Sequence, residues 1–69
     1  MKVSARNSLK GIVKTVTIGA VNAEISIEIS DGVEITSIIT KSSAEALGLK
    51  EGSEAYAVIK ASDVILAID

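Results

Sequence analysis

The sequence predicts an all-β fold: a barrel of five short strands, with one short helix between the third and the fourth. Three observations carry this. β-Branched residues are abundant and proline is absent. Residues 23–29, AEISIEI, alternate strictly between apolar and polar, the period of a strand with one buried face. The alternation gives way to a helix-like pattern only once, within residues 41–52.

Each element follows in order. Residues 9–18, LKGIVKTVTI, read as a long strand, with Ile12, Val16 and Ile18 on one side and Val13, Thr15 and Thr17 on the other. GAVN, residues 19–22, is a loop or a bend. In residues 23–29, Ile25, Ile27 and Ile29 face inward, and Glu24, Ser26 and Glu28 face outward. SDG, residues 30–32, is a hairpin turn, because Asp-Gly tolerates the positive φ such turns need. VEITSIIT, residues 33–40, is the return strand. In KSSAEALGLKEG, residues 41–52, Ser42 and Glu45 have the spacing of a capping box. Ala44, Ala46 and Leu47 favour a helix, and Gly48 stops it. Gly52 marks another turn. EAYAVIK, residues 54–60, is the fourth strand; ASD is a bend; VILAI, residues 64–68, is the fifth. MKVSAR at the start is a further candidate for pairing. Three strands, a short helix and two strands are the order of an OB-like five-stranded barrel.

A chain of 69 residues is one domain, residues 1–69, and buries a marginal core. Small scaffolds usually add disulfides, a metal or oligomerisation. Cysteine and histidine are both absent, which removes disulfides, thiolate chemistry and the usual zinc or copper sites. Self-association remains. With 48% hydrophobic residues and a mean hydropathy of +0.47, a monomer this small could not hide its apolar side chains. No signal peptide and no apolar span of about 20 residues is visible, so the cytoplasm is the expected location and no membrane partner is expected.

The net charge of −2 is unevenly spread. Residues 1–20 hold Lys2, Arg6, Lys10 and Lys14 and no acid, for +4; residues 21–69 carry −6. DNA rewards a broad basic face, which this is not. A basic leading edge suits a small anion held at a few points.

Catalysis has little to work with. The serines have no base to activate them. Glu24, Glu28 and Glu34 read as a carboxylate cluster or, more simply, as a solvated sheet face. No phosphate-cradling glycine motif is present, and an enzyme is not expected. A nucleic-acid-binding OB module would stack bases on aromatic side chains, and Tyr56 is the single aromatic.

The ingredients of an oxyanion site recur in three places. SAR, residues 4–6, offers a hydroxyl, backbone N–H groups and a guanidinium. TKSS, residues 40–43, offers hydroxyls at a helix start. KAS, residues 60–62, offers an ammonium, a bend and a hydroxyl. A tetrahedral dianion wants many donors and about two positive charges from a preorganised shell. Plain alternatives stand beside each: Ser42 and Ser43 as helix caps, Lys60 and Arg6 as solvated surface charge.

The segments SARNSLKG, GAVNAE, ITSIITKSSAEALGLKEG and AYAVIKASDV, in this order, resemble the molbindins, small molybdate-binding proteins of the Mop family with a TOBE-type domain. The resemblance spans residues 3–68. It implies an OB-like barrel that assembles as a homo-hexamer, a trimer of dimers. Molybdate or tungstate would be held at subunit interfaces, for intracellular storage and homeostasis. Carried over, one site draws on Ser4, Ala5 and Arg6 of one subunit, with Thr40, Ser43, Lys60, Ala61 and Ser62 from another part of the interface. Arg6 and Lys60 offset the charge, the hydroxyls donate, and Ala5 and Ala61 supply backbone N–H groups. A second site lies at GAVN and uses Ala20, Val21 and Asn22. No organic cofactor is expected, since a pterin would have only Tyr56 as an aromatic platform. Rejection of sulfate would rest on the size of a rigid pocket, which tungstate would fit as well as molybdate. The rival readings are an oligomeric interaction module without ligand, and the nucleic-acid module already disfavoured.

Overall fold

The strict alternation of residues 23–29 becomes the centre of the sheet. The computed structural model describes residues 1–69. Four strands form: β1 (Asn7–Ile18), β2 (Asn22–Ser30), β3 (Val33–Thr40) and β4 (Glu54–Ile59). Helix α1 (Lys41–Leu47) joins β3 to β4, and a 3₁₀ turn (Ala61–Asp63) follows β4. The sheet order is β3-β2-β1-β4, with every neighbouring pair antiparallel. No helix is long and apolar enough to cross a membrane.

β1 curls the sheet because its two halves have different partners. Asn7–Ile12 pair with β4, and Ile12–Ile18 pair with β2. Gly11 lies at the bend and is buried. A Cβ there would sit 2.5 Å from Ile27 Cγ2 and 2.6 Å from the Glu28 carbonyl oxygen. Absence of a side chain therefore lets β1 close over β2.

The same strand corrects the alternation read from residues 9–18. The register slips between Val13 and Thr15, a β-bulge. Val13 is thereby fully buried and Val16 packs against the same core, while Ile12 and Ile18 are exposed. Val13, Ala23, Ile25, Ile27 and Ala44 form that core, ringed by Ile29, Ile39, Leu49 and Ala55. The inward set Ile25, Ile27 and Ile29 is as expected.

Helix α1 is capped by Thr40, not Ser42. The Thr40 Oγ1 accepts from the Ser43 N–H at 3.1 Å, so the spacing to Glu45 plays no part. Gly48 ends the helix in the left-handed region at φ +64°, as expected. Thr40→Ala removes the cap and is expected to cost about 1 kcal/mol of stability, read as a lower urea midpoint.

The barrel has four strands and stays open; the expected fifth strand does not form. Residues 64–68 are in no strand, and Ile65, Leu66 and Ile68 are 93%, 87% and 99% exposed. Residues 1–6 pair with nothing either. Apolar, β-branched sequence favours extended backbone, but a strand also needs a partner edge. A 3₁₀ turn at 61–63 follows β4, and residues 64–68 beyond it pair with no edge of the sheet. The open side of the sheet is an apolar cleft of about 350 Å³, lined by residues that include Ile25, Ile39, Leu47 and Val58.

Candidate anion-binding site

The residues singled out by sequence fall into two groups, at opposite ends of β1. The first surrounds its start. Asn7 is the register partner of Ile59, and its side-chain Nδ2 donates to the Ile59 carbonyl at 3.3 Å. Ser4, Ala5 and Arg6 lead into Asn7; Lys60, Ala61 and Ser62 lead out of Ile59. The strand pair thus sets Arg6 and Lys60 side by side as chain neighbours of a paired position. The 3₁₀ turn bends the second segment, with the Asp63 N–H donating to the Lys60 carbonyl at 2.9 Å.

Both cations of this group are exposed and uncommitted. The ion pairs of the chain are Lys10–Glu54 at 3.5 Å and Lys14–Glu28 at 4.0 Å. Neither involves Arg6 or Lys60. The N–H groups of Ala5 and Arg6 make no hydrogen bond within the chain. Two positive charges, two hydroxyls and free N–H donors therefore share one end of the sheet.

The second group surrounds the other end. Asn22 is the register partner of Thr40, which places the loop of Ala20, Val21 and Asn22 beside the start of α1. The Lys41 N–H donates to the Val21 carbonyl at 2.7 Å and holds the loop there. The Gly19 N–H donates to the Asn22 carbonyl at 2.8 Å, so Gly19 is occupied while the Ala20 and Val21 N–H groups are free. Thr40 Oγ1 accepts from the Ser43 N–H and donates to Ser43 Oγ at 2.7 Å; Ser42 Oγ lies 3.4 Å from Thr40 Oγ1.

Within one chain, then, the Lys60 segment lies beside Arg6, and Thr40 and Ser43 lie beside the Ala20–Asn22 loop. No hydrogen bond or ion pair joins the two groups. Asn7 and Lys41 were not singled out by sequence reasoning. Their roles come from strand register, which residue type alone does not encode.

The three acids of the sheet face are surface groups. The Ser26 hydroxyl donates to Glu34, Glu28 pairs with Lys14, and Glu24 is exposed. No group of three or more acids, with or without other ligating side chains, is arranged to hold a metal ion.

Comparison with known proteins shows what this chain is similar to. Residues 3–66 match the TOBE domain. Molybdenum-pterin-binding protein 3 of Clostridium pasteurianum is 53% identical over 66 residues, covering 96% of this chain and 97% of that protein. The structure of MopII from Clostridium pasteurianum in an apo form superposes with a TM-score of 0.90 at 49% identity, covering 97% of this chain and 100% of that one. The cytoplasmic molybdate-binding protein ModG, with molybdate bound, superposes with a TM-score of 0.95 at 54% identity; 100% of this chain matches 49% of that one. With its sequence and its curled sheet both matched along nearly their whole length, the chain belongs to the Mop family of TOBE-domain proteins.

Proposed function

We propose that this protein binds molybdate, and tungstate equally, at sites formed between the subunits of a homo-oligomer. It is a binding protein and not an enzyme, and its role is cytoplasmic molybdenum storage and homeostasis. The observation that supports this most is the separation of the two groups along β1. One end carries Arg6 and Lys60 with Ser4, Ala5, Ala61 and Ser62. The other carries the hydroxyls of Thr40 and Ser43 with the Ala20–Asn22 loop. Each is a partial shell for a tetrahedral dianion, and a second copy would complete it.

The bare apolar surface supports assembly independently. Ile65, Leu66, Ile68 and the open cleft would be covered by further copies, in a hexamer built as a trimer of dimers. That assembly would also finish the OB-like barrel that one chain leaves open. Sedimentation of the wild-type protein is expected to give a hexamer. The double variant Ile65→Asp/Ile68→Asp is expected to sediment as smaller species, because two charges would then be buried without partners.

Calorimetric titration tests the ligand. Molybdate and tungstate are expected to saturate the assembled protein, with sulfate far weaker because a rigid shell fits the larger anions. A folded oligomer that binds none of the three would instead be an interaction module.

A further inference from the structure

We propose that Asp31 is a site of covalent modification: in the folded protein it converts spontaneously to isoaspartate, and the product is a substrate for a carboxyl methyltransferase of the repair type. None of the residues assigned to the anion site lies at this hairpin tip, so molybdate binding and the modification are tested separately.

The reaction needs an Asp or Asn side chain and the N–H of the next residue. That nitrogen attacks the side-chain carbonyl carbon and closes a five-membered succinimide. Asp releases water in this step, and Asn releases ammonia. Water then opens the ring at either carbonyl, giving aspartate or isoaspartate. In isoaspartate the main chain runs through the side-chain carbons, and the α-carboxylate becomes the side group. A methyltransferase moves a methyl group from a sulfonium donor onto that carboxylate. The next N–H then expels methanol and re-forms the succinimide, which returns part of the product to aspartate.

Closure requires a side chain without a partner, a following N–H outside the hydrogen-bond ladder, and room beside the following residue. The sequence holds four such pairs: Asn7–Ser8, Asn22–Ala23, Asp31–Gly32 and Asp63–Val64. Asp31–Gly32 meets every condition. Both residues are exposed, in the turn between β2 and β3. Asp31 makes no side-chain hydrogen bond or ion pair. The Gly32 N–H donates to no backbone carbonyl. Beyond its chain neighbours, nothing lies within 4 Å of where a Cβ on Gly32 would stand. Glycine itself offers no side chain to hinder the attack.

The fold protects the other three pairs. Asn7 donates through Nδ2 to the Ile59 carbonyl, and Asn7 and Ser8 are both paired with β4. Asn22 and Ala23 are both paired with β3, and Ala23 is fully buried. The Val64 N–H donates to the Ala61 carbonyl at 3.3 Å, and its branched Cβ crowds the attack on Asp63. By residue type alone Asn-Ser rivals Asp-Gly as a reactive pair. The strand pairing is what separates them.

The experiment ages the full-length protein in neutral buffer at physiological temperature, native and in guanidinium chloride. Peptide mapping with electron-transfer fragmentation locates isoaspartate. Methylation by protein isoaspartyl methyltransferase with labelled S-adenosylmethionine counts it. In the native protein, residue 31 is expected to hold more isoaspartate than residues 7, 22 and 63 together. On unfolding, the rate at Asn7 is expected to rise by at least about tenfold and that at Asp31 by less than about threefold, because a paired strand reacts only when it opens. Native samples with as much isoaspartate at residue 7 as at residue 31, or none at residue 31, overturn the proposal. So does a rise at Asp31 that matches the rise at Asn7, since the hairpin would then protect it. Asp31→Glu is expected to lose the methylation of native samples, because the six-membered imide closes far more slowly. Methylation that persists at the wild-type level in this variant places the reaction elsewhere and also overturns the proposal.

Discussion

Replacing Lys60 with alanine is expected to weaken molybdate binding by about one to two orders of magnitude. Hydrogen bonds to charged groups contribute about 1.5–3 kcal/mol each, and that range converts to roughly 10- to 150-fold in affinity. Lys60 is one of two cations at its end of the sheet, and no carboxylate of the chain pairs with it. Its charge is therefore available to the ligand in full. Arg6→Ala is expected to be at least as damaging, since a guanidinium can engage two oxygens at once. The double variant should bind almost nothing. Neither side chain takes part in the internal hydrogen bonds or ion pairs. Stability should accordingly stay within about 0.5 kcal/mol of wild type, as for other surface substitutions. Calorimetry and a urea melt on the same samples read the two quantities. Unchanged molybdate affinity in Lys60→Ala would remove this end of the sheet from the site.

Gly11→Ala is the substitution expected to damage the fold most for its size. The new methyl would meet Ile27 Cγ2 at 2.5 Å and the Glu28 carbonyl oxygen at 2.6 Å. A flexible side chain could turn away, but the carbonyl belongs to the strand that β1 pairs with. The sheet must open where β1 passes from β4 to β2. Overpacking of this kind costs about 1–3 kcal/mol, and the upper half of that range applies because backbone has to move. For a small domain a change of that size shifts the melting temperature by roughly 8–24 °C, at about 4–8 °C per kcal/mol. Gly48→Ala is the control. It has open space around it and suffers only from its φ of +64°, so its loss should be the smaller. Equal melting temperatures for Gly11→Ala and wild type would show that β1 and β2 do not approach so closely.

What the sequence made legible was local. The alternation of Ile25 and Ile27 named the core face, because period-2 burial is written residue by residue. Asp31–Gly32 and Gly48 marked turns, because glycine relieves the steric limit on φ. Serine, threonine, arginine and lysine in three short segments named the donors, because those side chains bring their chemistry wherever they sit. The limits follow the same logic. A bulge after Val13 moved the strand's buried face, and a bulge depends on how two strands are drawn together. Thr40 displaced Ser42 as cap, because the last residue of β3 decides where the helix begins.

The fifth strand shows the boundary most clearly. Residues 64–68 have the composition of a strand, yet composition specifies only what the backbone tolerates. Pairing also requires a partner edge, and within one chain residues 64–68 have none. The site divides in the same way. By itself the sequence determined the all-β pattern and which residues carry donors and cations to propose for a site. Only the tertiary structure decided how they are grouped: Arg6 beside Lys60 through the Asn7–Ile59 pair, Thr40 beside the Ala20–Asn22 loop through the Asn22–Thr40 pair. The reason is that register is set by long-range backbone hydrogen bonds, which no stretch of sequence contains by itself.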